Sequence, residues 1–356
     1  MSRKKKYIFV FICSIVLFLV LITFFYVGNY FYNFALKAHT QWSTSMKIKR
    51  PNVDICKQEK NKNKTAEELK KIEEKQNNAI ALKKAEDKEA KSFFSNLKFE
   101  HLFTKSFDNL NLHALEFLNS QIKEGSKDNI NHKWIIIIHG YKDDCTSFLS
   151  QAKHFYDMGF NLLLVDLRGH GISEGKYIGM GWHDRLDIKQ WINEIIDKDQ
   201  HAEIVLYGVS MGAATVMMTA GEILPKQVKL GIEDCGYSSA YEVFFLQLKN
   251  MLGFGHFLSK IIMYVSNIVT RLKTGSWVTE ASSLRQLKKS NLPMLFIHGD
   301  SDTFIPTEMV KHCYNAHNAY KEQVIVPDSI HAMNNFIEPD LYWNSVKAFI
   351  KKYIKN

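Results

Sequence analysis

The stretch Ile204-Val205-Leu206-Tyr207-Gly208-Val209-Ser210-Met211-Gly212 constrains the fold more than any other part of this 356-residue chain. A short apolar run breaks into Gly-x-Ser-x-Gly and continues as Ala213-Ala214-Thr215-Val216-Met217-Met218. That order predicts a buried strand, a sharp turn and a helix, with a serine at the apex. Gly208 and Gly212 lack the Cβ atoms that would clash where strand and helix cross. The first turn of such a helix leaves N–H groups that can meet a developing negative charge beside the serine.

The rest of residues 99–356 repeats the pattern. Strands are predicted over 99–108 and 112–119, joined by an Asn/Asp turn, then over 133–138, 160–166, 203–207, 228–233, 292–297 and 323–326. Helices are predicted over 146–158, 184–196 and 341–353. The β-branched run Trp134-Ile135-Ile136-Ile137-Ile138 marks a strand buried on both faces. Strands alternating with helices describe an α/β fold, a mostly parallel sheet with helices on both faces. Between about 237 and 290 the alternation stops. That insertion is helical and apolar-aromatic, with Phe244, Phe245, Leu252, Phe257 and Tyr264 among its residues, and is expected to cap the sheet edge.

Two appendages precede this domain: an expected membrane anchor over 1–34 and a charged, partly helical stalk over 35–98. Arg3-Lys4-Lys5-Lys6 abut residues 7–28, an apolar run without a charge and long enough to cross a bilayer as a helix. Tyr30, Phe31, Tyr32 and Phe34 add an aromatic cluster suited to the interface. A removable signal peptide would have a shorter apolar region and a small-residue cleavage site, so an uncleaved signal-anchor is expected. Its basic flank favours an N-terminus inside and the rest of the chain on the extracytoplasmic side, although Lys37, Lys47, Lys49 and Arg50 follow further along.

Residues 57–64 are a lysine/asparagine run expected to be solvated. Thr65-Ala66-Glu67-Glu68 fits a capping box, and a charged helix is predicted from there to about Ala90, with i,i+4 pairs Glu67–Lys71 and Asp87–Lys91. Its thin apolar stripe (Leu69, Ile72, Ala79, Ile80, Leu82) points to a solvated stalk or lid helix rather than a coiled coil.

The net charge of +9 belongs to these appendages. Residues 1–98 carry 20 Lys/Arg against 9 Asp/Glu, whereas 99–356 carry 26 against 28. A near-neutral domain argues against nucleic acid as its partner. Cys13, Cys56, Cys145, Cys235 and Cys313 show no repeated spacing, so neither a zinc set nor a dense disulfide framework is suggested; most are expected to be structural thiols.

A serine hydroxyl needs a base, and the base needs a third group to orient it. In open α/β sheets these groups belong after the carboxyl ends of strands. His331, in Pro327-Asp328-Ser329-Ile330-His331-Ala332-Met333, follows the last strand and is the best candidate base. His139 and His298 sit in His-Gly pairs at strand ends and are expected to brace turns; His170 lies in a Gly-rich loop, and His101, His113 and His312 lack a comparable setting. For the acid, Asp300 and Asp302 are both available after the 292–297 strand, with Asp234 a third option. Two N–H groups could hold an oxyanion: that of Met211, after the serine, and that of Tyr141, in His139-Gly140-Tyr141.

Taken together, His139-Gly140-Tyr141, Asp166-Leu167-Arg168-Gly169-His170-Gly171-x-Ser173, Gly208-Val209-Ser210-Met211-Gly212 and His298-Gly299-x-x-Asp302-x-x-Ile305-Pro306 resemble the α/β-hydrolase superfamily. More narrowly, with Gly181-Trp182-His183-Asp184-Arg185 and Glu233-Asp234-Cys235-Gly236-Tyr237, they are similar to membrane-anchored serine hydrolases of the serine aminopeptidase S33-like and BEM46-like groups. The resemblance covers about 99–356. It implies Ser210 as nucleophile, Asp302 rather than Asp300 as acid and His331 as base, in the order Ser…Asp…His. Where the family tends to have a Gly-containing turn before this histidine, the chain has Asp328-Ser329-Ile330. The expected activity is hydrolysis of an ester, thioester or amide through an acyl-enzyme, with no metal or organic cofactor. The apolar insertion favours an acyl ester over a peptide. The alternatives are a peptidase of the aminopeptidase type and a membrane-tethered binding protein without turnover. Substrates in view are a small-molecule ester, a lipid or a peptide.

Overall fold

A computed structural model describes residues 3–38, 65–119, 131–253 and 255–354. The run at 57–64, Cys56, Lys47, Lys49, Arg50 and Phe254 lie outside these. The chain forms two compact units, Met1–Lys37 with Ala240–Glu280, and Ala38–Ser239 with Ala281–Asn356.

The first unit opens with α1 (Arg3–Phe31), closed by a π-helical turn at Tyr32–Leu36. The second begins with α2 (Ala66–Ser95), β1 (Glu100–Lys105) and β2 (Asn111–Phe117). It continues through β3 (Lys133–Ile138), α3 (Leu149–Asp157), β4 (Asn161–Asp166) and α4 (Asp184–Lys198). Next come β5 (Glu203–Val209), α5 (Met211–Ala220) and β6 (Val228–Asp234). The insertion α6 (Ala240–Leu252) and α7 (His256–Thr274) belongs to the unit of α1. The chain then returns with α8 (Ser283–Leu287), β7 (Met294–Gly299), α9 (Glu308–Ala316) and β8 (Lys321–Val326). It closes with α10 (Asn334–Ile337) and α11 (Pro339–Tyr353).

The eight strands form one sheet in the order β1-β2-β4-β3-β5-β6-β7-β8. The pairs β1/β2 and β2/β4 are antiparallel and all others parallel. All eight predicted strands are present, with ends moved by a few residues. Register pairs Ile138 with Gly208, Val209 with Asp234, and Asp234 with Ile297, so the carboxyl ends of β3, β5, β6 and β7 lie side by side. That edge is where an open α/β sheet offers a site.

One boundary matters for the chemistry. The strand predicted to end at Tyr207 continues through Val209, so the turn is compressed onto Ser210. Glycine makes this possible. A Cβ on Gly208 would run into the backbone of Gly212, and one on Gly212 would run into the Ile138 carbonyl oxygen. Every residue of α5 is buried, which fixes the helix against β3, β5 and β6.

The capping box at α2 is present: Thr65 Oγ1 accepts from the Glu68 N–H at 3.2 Å, and the Thr65 N–H donates to Glu68 Oε2 at 2.7 Å. Glu67 pairs with Lys71, but Asp87 pairs backwards with Lys83 rather than with Lys91. The expected solvated stalk helix is also revised. Its outer face is charged, yet Ala79, Ala90 and Phe94 are buried in the core of the α/β unit, and Phe94 packs edge-on to Phe117 at 4.8 Å. Small alanines let the helix approach closely, and the phenylalanine lies beyond the predicted end of the helix.

In the other unit, the most apolar 18-residue stretch of α1 has no buried residue. Its last turns pack on the insertion: Gly28 leaves no room for a Cβ beside Val269, and Phe31 meets Phe244 edge-on at 5.2 Å.

Candidate active site

Ser210 stands at φ 58°, ψ −115°, a region that costs a non-glycine residue about 1–3 kcal/mol and persists only when its surroundings hold it. Here the Ser210 N–H donates to the Asp234 carbonyl at 2.8 Å, and the Ser210 carbonyl accepts from the Ala214 N–H at 3.0 Å. Strand β6 and helix α5 thus grip the serine from both sides, leaving its hydroxyl directed outward.

His331 Nε2 lies 2.9 Å from Ser210 Oγ, and His331 Nδ1 lies 2.7 Å from Asp302 Oδ2. With Nδ1 protonated, the imidazole donates to Asp302 and accepts from the serine hydroxyl. The three residues come from the ends of β5, β7 and β8. The histidine loop takes its shape without glycine: Asp328 and Ala332 adopt φ 61° and 57°. Other contacts hold it. Asp300 Oδ1 accepts the Asp328 N–H at 2.8 Å, the Ser301 N–H donates to the Ser329 carbonyl at 3.0 Å, and Gln76 Nε2 of α2 donates to the Asp328 carbonyl at 3.0 Å. Lys75 of α2 pairs with Asp328 and Glu338 on either side of the histidine.

The three candidate acids separate by their partners. Asp300 is committed to the loop-to-loop bond with Asp328. Asp234 accepts from Asn334 Nδ2 at 2.5 Å and from the Tyr342 hydroxyl at 2.9 Å, and Tyr342 bonds in turn to Tyr207. Only Asp302 reaches His331. Its other oxygen accepts the N–H groups of Phe304 and Ile305, both at 2.9 Å. Burial alone would raise the Asp302 carboxyl, but the charges and hydrogen bonds of His331 and His298 hold it well below the usual carboxylate range. Burial pushes Asp234 up and Glu233 up to about 8.

His298 goes beyond its expected part as a turn brace. Its Nε2 donates to the Ile305 carbonyl at 2.9 Å and lies 3.4 Å from Asp302 Oδ2, so a second imidazole faces the acid. Buried Glu233 contributes to the field at His298. The His-Gly pair at the strand end was the available signal; the contact depends on how β6 and β7 pack. His139 does brace a turn, with Nδ1 on the Gly140 carbonyl and Nε2 accepting the Leu167 N–H. His170 is kept neutral by burial, its pKa lowered to about 3.

Of the two expected N–H donors, Met211 is the first residue of α5, where helix geometry gives the N–H no intrahelical partner. Gly140 brings the loop before Tyr141 against the serine: a Cβ built there would lie 3.7 Å from Ser210 Cβ. Lys142 takes φ 60° just beyond.

The Asp166–Ser173 motif is structural. Asp166 accepts from Cys145 N–H and Ile172 N–H and pairs with His113, while buried Arg168 is clamped between Asp187 and Asp108. Cys145, Cys235 and Cys313 are buried thiols. Among the described residues, two groups gather possible metal-ligand atoms within 4.8 Å: His113, Cys145 and Asp166, and Cys235, Asp302 and His331. In both groups the aspartate oxygens already accept hydrogen bonds.

A family model described as serine aminopeptidase, S33, matches residues 130–232. The uncharacterized protein YqkD of Bacillus subtilis (strain 168) is 28% identical over 218 residues, 61% of this chain and 70% of that protein. The uncharacterized protein YfhR of Escherichia coli (strain K12) is 22% identical over 204 residues, 55% of this chain and 62% of that protein, so the match spans less than two thirds of YfhR. Among solved structures, the Pyrococcus furiosus esterase Pf2001 superposes with a TM-score of 0.58 at 21% identity, covering 73% of this chain and 92% of that one. A Pyrococcus horikoshii acylaminoacyl peptidase gives 0.53 at 18% identity, covering 74% and 43%. Sheet order, the serine turn after β5 and these likenesses agree: the chain has the α/β-hydrolase fold.

Proposed function

We propose that this chain is a serine hydrolase that cleaves carboxylic esters of the lipase or carboxylesterase kind through an acyl-enzyme. The observation that carries the reading is the unbroken line from Ser210 Oγ through His331 to Asp302, at 2.9 and 2.7 Å. Ser210 Oγ attacks the carbonyl carbon while its proton passes to His331 Nε2, and the carbonyl electron pair moves onto oxygen. The N–H groups of Tyr141 and Met211 hold that oxyanion; such donors contribute about 3–4 kcal/mol each where they have been removed. Collapse expels the leaving group, which takes the proton from His331. Water then repeats the cycle on the acyl-serine and releases the acid. Asp302, held as an anion, keeps Nδ1 protonated and stabilises the imidazolium that forms in each half.

The apolar insertion supports an acyl substrate. A second reading, an aminopeptidase, is favoured by the description of the matching family model. We further read α1 as an uncleaved anchor with its N-terminus inside and the α/β unit on the extracytoplasmic side; protease added to intact cells should then digest the domain, and protection would reverse the topology.

A fluorophosphonate probe should label the folded wild type and not Ser210→Ala. Absence of labelling together with no turnover of p-nitrophenyl esters would remove the enzyme reading and leave the binding protein. Faster cleavage of aminoacyl p-nitroanilides than of p-nitrophenyl esters would select the peptidase.

A further inference from the structure

Helix α7 buries one face and leaves a second, apolar stripe exposed. The buried face comprises Ser259, Met263, Val265, Ser266, Val269 and Thr270, and Val269 touches Gly28 of α1. On the opposite side, Phe257, Ile261, Tyr264, Ile268 and Leu272 recur at i, i+4, i+7, i+11 and i+15, a spacing that keeps them on one narrow stripe. Phe257, Tyr264 and Leu272 are 78, 69 and 74% exposed, too open for side chains that pack on protein. Single exposed apolar residues are ordinary, but a continuous stripe four turns long marks a surface that meets something apolar.

What it meets is set by where α7 joins α1. The charge-free run of α1 covers residues 7–28, and Gly28, its last residue, is the one pressed against Val269. A helix that crosses a bilayer with this run leaves the hydrocarbon at Gly28. Just past that level Tyr30 stacks on Phe34, aromatic rings of the kind found at membrane interfaces. The charges agree. Helix α7 contains Lys260, Arg271 and Lys273, all exposed, and no Asp or Glu. An exposed apolar stripe beside a purely basic set is the composition of a helix lying in the headgroup layer of an anionic membrane.

We infer that α7 docks on the headgroup–acyl boundary of an anionic lipid bilayer through the stripe Phe257–Ile261–Tyr264–Ile268–Leu272, making the insertion a membrane-seated element rather than a free cap. This rests on the reading of α1 as membrane-spanning. The insertion leaves and rejoins the α/β unit at Ser239 and Ser282, which form a β-bridge.

The test uses the full chain in phosphatidylcholine vesicles containing phosphatidylglycerol. In a Cys13→Ala, Cys56→Ala background, which retains the buried Cys145, Cys235 and Cys313, single cysteines are introduced as Tyr264→Cys, Leu272→Cys, Phe18→Cys and Ile223→Cys and labelled with an environment-sensitive fluorophore. Nitroxide lipids carry the quencher either near the headgroup or deep in the acyl chain. At Tyr264 and Leu272 the label should shift to the blue and be quenched several-fold more than at Ile223, best by the shallow nitroxide. At Phe18 the deep nitroxide should be the better quencher. Quenching at Phe18 without quenching at Tyr264 and Leu272 overturns the inference while the anchor stands. No quenching at Phe18 removes the anchor itself, and the inference with it. A blue shift at Tyr264 and Leu272 without quenching would mean that protein covers the stripe, which also overturns it.

Discussion

Strands β6 and β7 are neighbours in the sheet, and each leads to a buried aspartate near its carboxyl end, yet the pKa values of the two acids are shifted in opposite directions. Asp302, after β7, faces two imidazoles and two backbone N–H groups and is held as an anion. Asp234, at the end of β6, is equally buried but takes its side-chain hydrogen bonds from the neutral donors Asn334 and Tyr342, with His298 and His331 acting on it only through their charge, and burial raises its pKa. Burial is the same; the partners differ. What makes an acid fit to orient a base is the positive charge arranged around it, whereas neutral donors turn a carboxylate into a structural pin. Asp234 pins α10 and α11, which follow the histidine loop, and its backbone carbonyl holds the serine N–H.

The largest effect that would break this contrast is on turnover. Asp302→Asn should lower kcat on a p-nitrophenyl ester by about 10⁴ while the protein stays folded. Asp234→Ala should leave kcat near wild type but cost about 1–3 kcal/mol for each stranded donor, read from urea denaturation. The reverse pattern would exchange the two roles. Next in size is a pH effect at Glu233, beside Asp234. Its carboxyl is raised to about 8, so the folded state holds a proton that the unfolded state has already lost. Its contribution to stability is complete below the ordinary glutamate range and disappears as pH rises through about 8. Glu233→Gln should therefore gain in Tm over wild type across that window, and a gap that stays constant with pH would contradict it. Smaller still, Tyr342→Phe removes one donor from Asp234 and one partner from Tyr207. We expect a loss of about 1–3 kcal/mol with no change in kcat.

The serine turn was legible because Gly208 and Gly212 carry the steric requirement in their own identity. The strands were legible from their apolar runs, and His331 from following the last of them. The end of β5 was not, since Gly208 and Val209 are strand residues only because β3 and β6 extend alongside them. Asp300 and Asp302 are equivalent by residue type and position. Their sorting depends on which carboxylate the Asp328 N–H claims, a contact between two loops. His298 as a second imidazole on Asp302 was hidden for the same reason. The packing of α2 was missed because its deepest contacts, Ala90 and Phe94, lie at and beyond the predicted end of the helix. That docking lets Lys75 and Gln76 grip the histidine loop, which compensates for the absent glycine turn.

The central claim is that His331, held by Asp302, activates Ser210. It is tested most directly by treating the wild type and His331→Ala with a fluorophosphonate and locating the adduct by mass spectrometry. We expect the added mass on the peptide containing Ser210 in the wild type, and a labelling rate lower by about 10³ or more in His331→Ala, because the members of such a unit fail together. An adduct on another residue, or labelling of Ser210 at the wild-type rate without His331, would contradict the account.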